Sequence, residues 1–177
     1  MSRPQSAAYG NNMKTTKEEI FAFLEQNNIP YEKMEHKAVY NMEEMREVCL
    51  PHPEAEAKNL FVRDDKKRDY YLITVKGDKR VDLNRFRAQN GTRRLSFASD
   101  ADLMAILGLI PGAVSPLGIL NDTEKKVRFF LDEAFFGEPD LIGIHPNDNT
   151  ATIWLDPADL QRMIRDHGNQ VNIVKID

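Results

Sequence analysis

The sequence predicts an α+β domain: a mixed, mostly antiparallel sheet surrounded by helices. Strand-like and helix-like segments intermix without the regular βαβ alternation of a doubly wound parallel fold. Short apolar runs come in pairs joined by polar turns, as at 57–63 and 70–76 around Asp64-Asp-Lys-Lys-Arg-Asp69. The 177 residues fit one domain with a proper core, and 41% apolar with 29% charged residues is globular composition.

Each element has a local signal. Thr16-Lys-Glu-Glu19 reads as a capping box, and Ile20, Phe21, Phe23 and Leu24 supply the apolar face of a helix to about Asn27. A strand is expected over 31–36. Asn41-Met-Glu-Glu44 reads as a second capping box, opening a short helix through about Val48. The 57–63 and 70–76 runs form a hairpin. Gly77-Asp78 then turns into a short helix from Asp82 that closes near Gly91. After a short strand at 95–98, Ser99 caps a helix carrying Leu103, Met104, Ile106 and Leu107 and stopping at Gly108. Strands are expected at 113–120, 126–131, 141–145 and 150–155, the last two flanking the turn Pro146-Asn-Asp-Asn149. Asp156-Pro157 starts a helix that buries Leu160, Met163 and Ile164 and ends at Gly168, and 171–176 is a final strand. Residues 1–13 are expected to be a flexible tail ahead of a domain spanning 14–177.

The densest punctuation is Gly108-Leu-Ile-Pro-Gly-Ala-Val-Ser-Pro-Leu-Gly118. Glycine lets a ligand approach the main chain, and proline stiffens it. The stretch follows a helix C-terminus, so the positive end of that helix dipole points away from it. Anion binding there would need loop amides or nearby cations.

Net charge is −4, but its distribution is uneven. Between Lys58 and Arg94, twelve Lys or Arg oppose five acids, which leaves the rest of the chain at −11. A basic sector on an acidic protein can take a polyanion locally. No apolar run is long enough to span a bilayer, and the N-terminus lacks a signal-peptide core. Cys49 is the one cysteine, so no internal disulfide forms, which fits a reducing cytoplasm. Cys49 is expected to be a small buried apolar residue.

The four histidines and Cys49 stand at no recognisable metal-ligand spacing, and no nucleophile elbow, P-loop or dinucleotide fingerprint occurs. Three places remain. Lys58-Asn59 opens an otherwise apolar strand and could offer a point charge and an amide to one ligand. The glycine-rich loop holds Ser115 between Val114 and Pro116, and His145-Pro146 ends a strand that contains Gly143.

Together, Lys58-Asn-Leu-Phe, Gly-Leu-Ile-Pro-Gly-Ala-Val-Ser-Pro-Leu-Gly, and Gly143-Ile-His-Pro with Asn149-Thr-Ala-Thr resemble the YbaK-type aminoacyl-tRNA editing domains. The likeness is strongest to their free-standing branch that deacylates alanyl-tRNA(Pro), and it runs from Lys14 to the C-terminus. It implies a barrel-like α+β fold, a cytoplasmic location, and hydrolysis of the ester between a wrong amino acid and tRNA, with no metal or organic cofactor. It also implies that Lys58 is the central residue, with Asn59, the 108–118 loop and His145 around it.

On that basis Lys58, Asn59 and His145 are the expected catalytic set. Lys58 would stabilise negative charge or anchor the terminal nucleotide, and His145 would shape the pocket or hold water. Gly108, Ile110, Pro111, Gly112, Ala113, Val114, Ser115, Pro116 and Gly143 are expected to bind the aminoacyl group. Ser115 and loop amides would orient it, with Ile110, Pro111, Val114 and Leu117 as a wall that excludes proline. Lys66, Lys67, Arg68, Lys79, Arg80, Arg85, Arg93 and Arg94 would meet acceptor-stem phosphates. The expected partner is tRNA(Pro) carrying alanine, with prolyl-tRNA synthetase as a second partner, no membrane contact and a monomeric state. Cysteinyl-tRNA(Pro) hydrolysis and tRNA binding without turnover are the alternative readings.

Overall fold

The computed structural model describes residues 13–177, so the expected N-terminal tail falls almost wholly outside the described residues. Helix α1 (Lys17–Gln26) starts at the expected capping box, with both Thr16–Glu19 hydrogen bonds formed. Strand β1 (Glu32–Glu35) follows, then helix α2 (Met42–Glu47). Asn41 caps α2 by accepting from the Glu44 amide at 2.8 Å, while the Glu44 carboxylate reaches back to the Tyr40 amide. Strands β2 (Ala57–Asp64) and β3 (Tyr70–Lys76) form the expected hairpin.

Helix α3 (Leu83–Asn90) is capped by Asp82 and closed by Gly91 at φ 67°, and strand β4 (Leu95–Phe97) comes next. Ser99 caps a single turn, α4 (Asp100–Asp102), which continues as a π-helical turn (Leu103–Leu107) and stops at left-handed Gly108. The chain is completed by β5 (Val127–Asp132), β6 (Ile142–Ile144), β7 (Ala151–Leu155), α5 (Pro157–His167) and β8 (Val171–Val174).

The strand expected at 113–120 does not form. Pro116–Asn121 is a 3₁₀ helix, entered by Ser115, whose hydroxyl accepts from the Leu117 amide at 3.2 Å. Pro116 cannot donate to a ladder and suits the first turn of a helix. Gly118 is packed so closely that an added Cβ would lie 2.6 Å from Leu109 Cδ1. Cys49 is also exposed, against expectation.

The strands make a five-stranded sheet, β4-β2-β3-β5-β8, and a three-stranded sheet, β1-β7-β6. Of the six strand pairings among the described residues, four are antiparallel; β3–β5 and β5–β8 are parallel. The parallel pairs require long crossovers, which run through α3 to the 3₁₀ helix and through β6, β7 and α5. Successive strand residues face opposite sides, so Leu72 and Phe129 join the larger core with Leu107, Ile153 and Ile164, while Ile73 and Phe130 join Phe86 and Val62 in a smaller one. A parallel bridge from Glu56 to Gly143 links the sheets where β2 begins.

Candidate active site

A cavity of about 190 Å³ opens at that seam. It brings together three stretches distant in sequence: Lys58 and Asn59 from β2, Gly112 and Val114 from the loop, and Gly143 and His145 from the end of β6. The volume is below the roughly 300–1,000 Å³ typical of drug-sized ligands, so the cavity suits a small group. Its apolar walls come from Val39, Met45, Val114 and Ile144.

Asn59 sits opposite Thr74 in the β2–β3 register, and its side-chain oxygen accepts from the Thr74 hydroxyl at 2.5 Å. Its amide nitrogen donates to the Val114 carbonyl at 3.3 Å. Both ends of the Asn59 amide are therefore engaged by the scaffold, and the residue fastens the loop to β2. Lys58 lines the cavity and has no ion-pair partner among the described residues.

His145 Nδ1 lies 3.0 Å from the Ala151 carbonyl. A carbonyl only accepts, so Nδ1 carries the proton and the neutral ring keeps Nε2 as its acceptor. Burial lowers the His145 pKa below the ordinary histidine value, opposed by that carbonyl and reinforced by the neighbouring His36. The two rings are 6.3 Å apart. His36 Nε2 lies 2.9 Å from the hydroxyl of Thr152, which also lines the cavity.

Glycine is required at two places. Gly112 has φ 89°, and a Cβ there would lie 2.9 Å from Tyr40 Cδ1. At Gly143 a Cβ would lie 2.8 Å from Trp154 Nε1, so the bare backbone lets the indole pack directly against it.

Other expected contact residues lie elsewhere. Ser115 is fully buried, its hydroxyl accepts the helix-cap hydrogen bond, and it is not among the residues that line this cavity. Gly108 faces Met13, Thr15 and Asn121. Ile110 and Pro111 are exposed, while Ala113, Pro116 and Leu117 are buried outside the lining. Of the expected wall, Val114 alone lines the cavity. Sequence reasoning missed Val39, Tyr40, Asn41 and Met45, which arrive from the segment between β1 and α2 and from α2 itself, and Glu56 and Thr152. The helix cap at Asn41 was visible in the sequence, but nothing there marked its neighbours as pocket walls.

The basic sector divides. Lys66, Lys67 and Arg68 are exposed in the β2–β3 turn, at the far end of β2 from Lys58, roughly 20 Å along the strand. Arg94 and Arg80 are also exposed. Arg93 grips Asp65 through two hydrogen bonds of 2.6 and 3.0 Å, and Arg85 pairs with Asp177 at 2.7 Å. Lys79 pairs with fully buried Asp132 at 2.7 Å and donates to the Ile176 carbonyl. These three cations already have protein partners.

A small cavity with a free ammonium, main-chain walls and a neutral imidazole can hold a compact polar group and stabilise charge developing on it. The chain belongs to the aminoacyl-tRNA editing domain family, which matches residues 36–163. It is 36% identical over 160 residues to the prolyl-tRNA editing protein ProX of Acetoanaerobium sticklandii, covering 90% of this chain and 97% of that protein. It is 35% identical over 170 residues to prolyl-tRNA synthetase associated domain-containing protein 1 of Bos taurus, covering 90% and 96%. The fold matches the crystal structure of a candidate trans-editing enzyme for prolyl-tRNA synthetase with a TM-score of 0.67 at 21% identity, covering 99% of this chain and all of that one.

Proposed function

We infer that this protein is a trans-editing deacylase that hydrolyses the ester of mischarged tRNA, with alanyl-tRNA(Pro) as its preferred substrate. The observation that carries this is the meeting of Lys58, Gly112, Val114 and His145 on one small cavity. Membership of the editing family and the names of the relatives support it.

An aminoacyl ester is already activated, so positioning and charge stabilisation suffice without a covalent nucleophile. Water adds to the ester carbonyl, and the tetrahedral intermediate collapses to release the amino acid and the ribose hydroxyl of the terminal adenosine. Lys58 stabilises the developing oxyanion or holds the terminal nucleotide. His145, neutral with Nε2 as acceptor, orients the water. Asn59 acts by positioning, because it fixes Val114 against β2. The cavity admits alanine and excludes proline as a second sieve, since a proline site cannot strongly reject a smaller side chain.

The test is a panel of alanyl-, cysteinyl- and prolyl-tRNA(Pro). Alanine release is expected to dominate, and Lys58→Ala is expected to lower kcat/KM on the order of 10²–10³-fold, as for loss of one oxyanion donor. Unchanged alanine release by Lys58→Ala would remove Lys58 from the chemistry. Faster cysteine release would reassign the substrate, and tRNA binding without release would make the protein a non-catalytic binder.

A further inference from the structure

Glu56 supplies the one carboxylate among the residues that line the cavity. Its backbone is fixed on both sides: the carbonyl accepts from the Gly77 amide at 2.9 Å, and the residue bridges to Gly143. Glu56 and Lys58 are two residues apart in extended chain, so they share a face about 7 Å apart along it. The carboxylate has no ion-pair partner among the described residues, and Glu56 is half-buried.

None of the nearby cations, Lys58 included, forms an ion pair with Glu56. Lys76 donates to the Glu54 carbonyl at 3.2 Å and lies over the Phe135 ring. Arg46 of α2 is exposed and attracts Glu56 without forming an ion pair. Burial raises the Glu56 pKa above the ordinary carboxylate value, opposed by the Arg46 charge. Glu56 sits where this cavity adjoins a second groove that holds Arg46, and its half-buried carboxylate would be relieved by a cation that a ligand brings into the cavity.

An aminoacyl ester brings one: the α-amino group, one carbon from the reacting carbonyl. We propose that Glu56 is a specificity-determining residue that pairs with the α-ammonium of the aminoacyl group. The protein then acts on esters whose amino group is free and discriminates against N-acylated ones. The inference rests on the deacylase reading and adds the recognition of the substrate's amino end. Glu56 and Lys58 would bracket the ester, one at the ammonium and the other at the carbonyl oxygen or terminal phosphate.

The experiment compares alanyl-tRNA(Pro) with N-acetyl-alanyl-tRNA(Pro) for the wild type, Glu56→Gln and Glu56→Asp. The wild type is expected to prefer the free amine at least tenfold in kcat/KM. Glu56→Gln should lose at least tenfold on alanyl-tRNA(Pro), chiefly through KM, with little change on the acetylated substrate, so that the preference collapses. Glu56→Asp keeps the charge and should restore part of it. Equal losses on both substrates would make Glu56 a structural residue and overturn the proposal, as would a wild type indifferent to acetylation. If the wild type released no amino acid from either substrate, the deacylase reading itself would fail. Binding of the non-hydrolysable amide analogue 3′-alanylamino-3′-deoxyadenosine would then decide: preference over its N-acetyl form, lost in Glu56→Gln, upholds the pairing, and no binding or no preference overturns it.

Discussion

His145 shows how one hydrogen bond sets a chemical role. Donation from Nδ1 to the Ala151 carbonyl fixes the tautomer, and burial keeps the ring neutral. Its folded pKa lies below the unfolded value of about 6.5. As pH falls through about 6.5, the unfolded chain takes up a proton that the folded protein refuses, so stability declines until the folded pKa is passed. Catalysis should follow the folded value. With uncatalysed hydrolysis subtracted, the deacylation rate is expected to hold as pH drops through 6.5 and to fall only in more acidic solution. An acid limb centred at 6.5 would mean that the ring titrates as an ordinary histidine.

The loop is where element-scale reading of the sequence went furthest astray. Its glycines and prolines marked a stiff, open segment, and Gly112 and Val114 do reach the cavity. Yet Ser115-Pro116 is a helix start, and the same hydroxyl that looked like a ligand contact caps the following 3₁₀ turn. Ser115→Ala is therefore expected to cost about 1 kcal/mol of stability, as a lost N-cap does, with kcat and KM for deacylation nearly unchanged. Thermal unfolding beside steady-state kinetics checks this; a large kinetic defect at unchanged stability would return Ser115 to the substrate.

Elements with local signals were legible: the capping box at Thr16, the β2–β3 hairpin, and α5 between Asp156 and Gly168. Pairing of β3 with β5 and β5 with β8 was not, because parallel partners are chosen by crossovers and carry no turn signature. Lys58, Asn59, Gly112, Val114, Gly143 and His145 could be grouped from motifs. Met45 and Val39 could not, since apolar residues that line a cavity look like core residues in sequence.

Across the whole molecule, charge is divided between a free group and a paired one. The exposed Lys66, Lys67 and Arg68 stand about 20 Å from Lys58 along β2, and in the proposed deacylase they would meet the acceptor stem of a tRNA whose 3′ end enters the cavity. Changing all three to Ser is expected to raise KM for aminoacyl-tRNA several-fold at constant kcat. The salt dependence, as the slope of log KM against log salt, should fall by about 2–3, at roughly 0.7–0.9 for each phosphate no longer neutralised. An unchanged slope would place the tRNA on another face. Lys79 belongs to the paired group, held by buried Asp132, and serves the fold.

The double engagement of Asn59 has a bearing on how such a filter could drift. One carboxamide spans from a strand hydroxyl to a main-chain oxygen of the opposing wall, so the width of the opening is gauged by a two-ended strut. Shortening or lengthening that strut would move the wall bodily while the reacting groups on the other two sides stayed put. In the proposed deacylase, tolerance for bulkier acyl groups would thus be mechanically separable from the speed of bond breaking, and a lineage could retune one without dismantling the other.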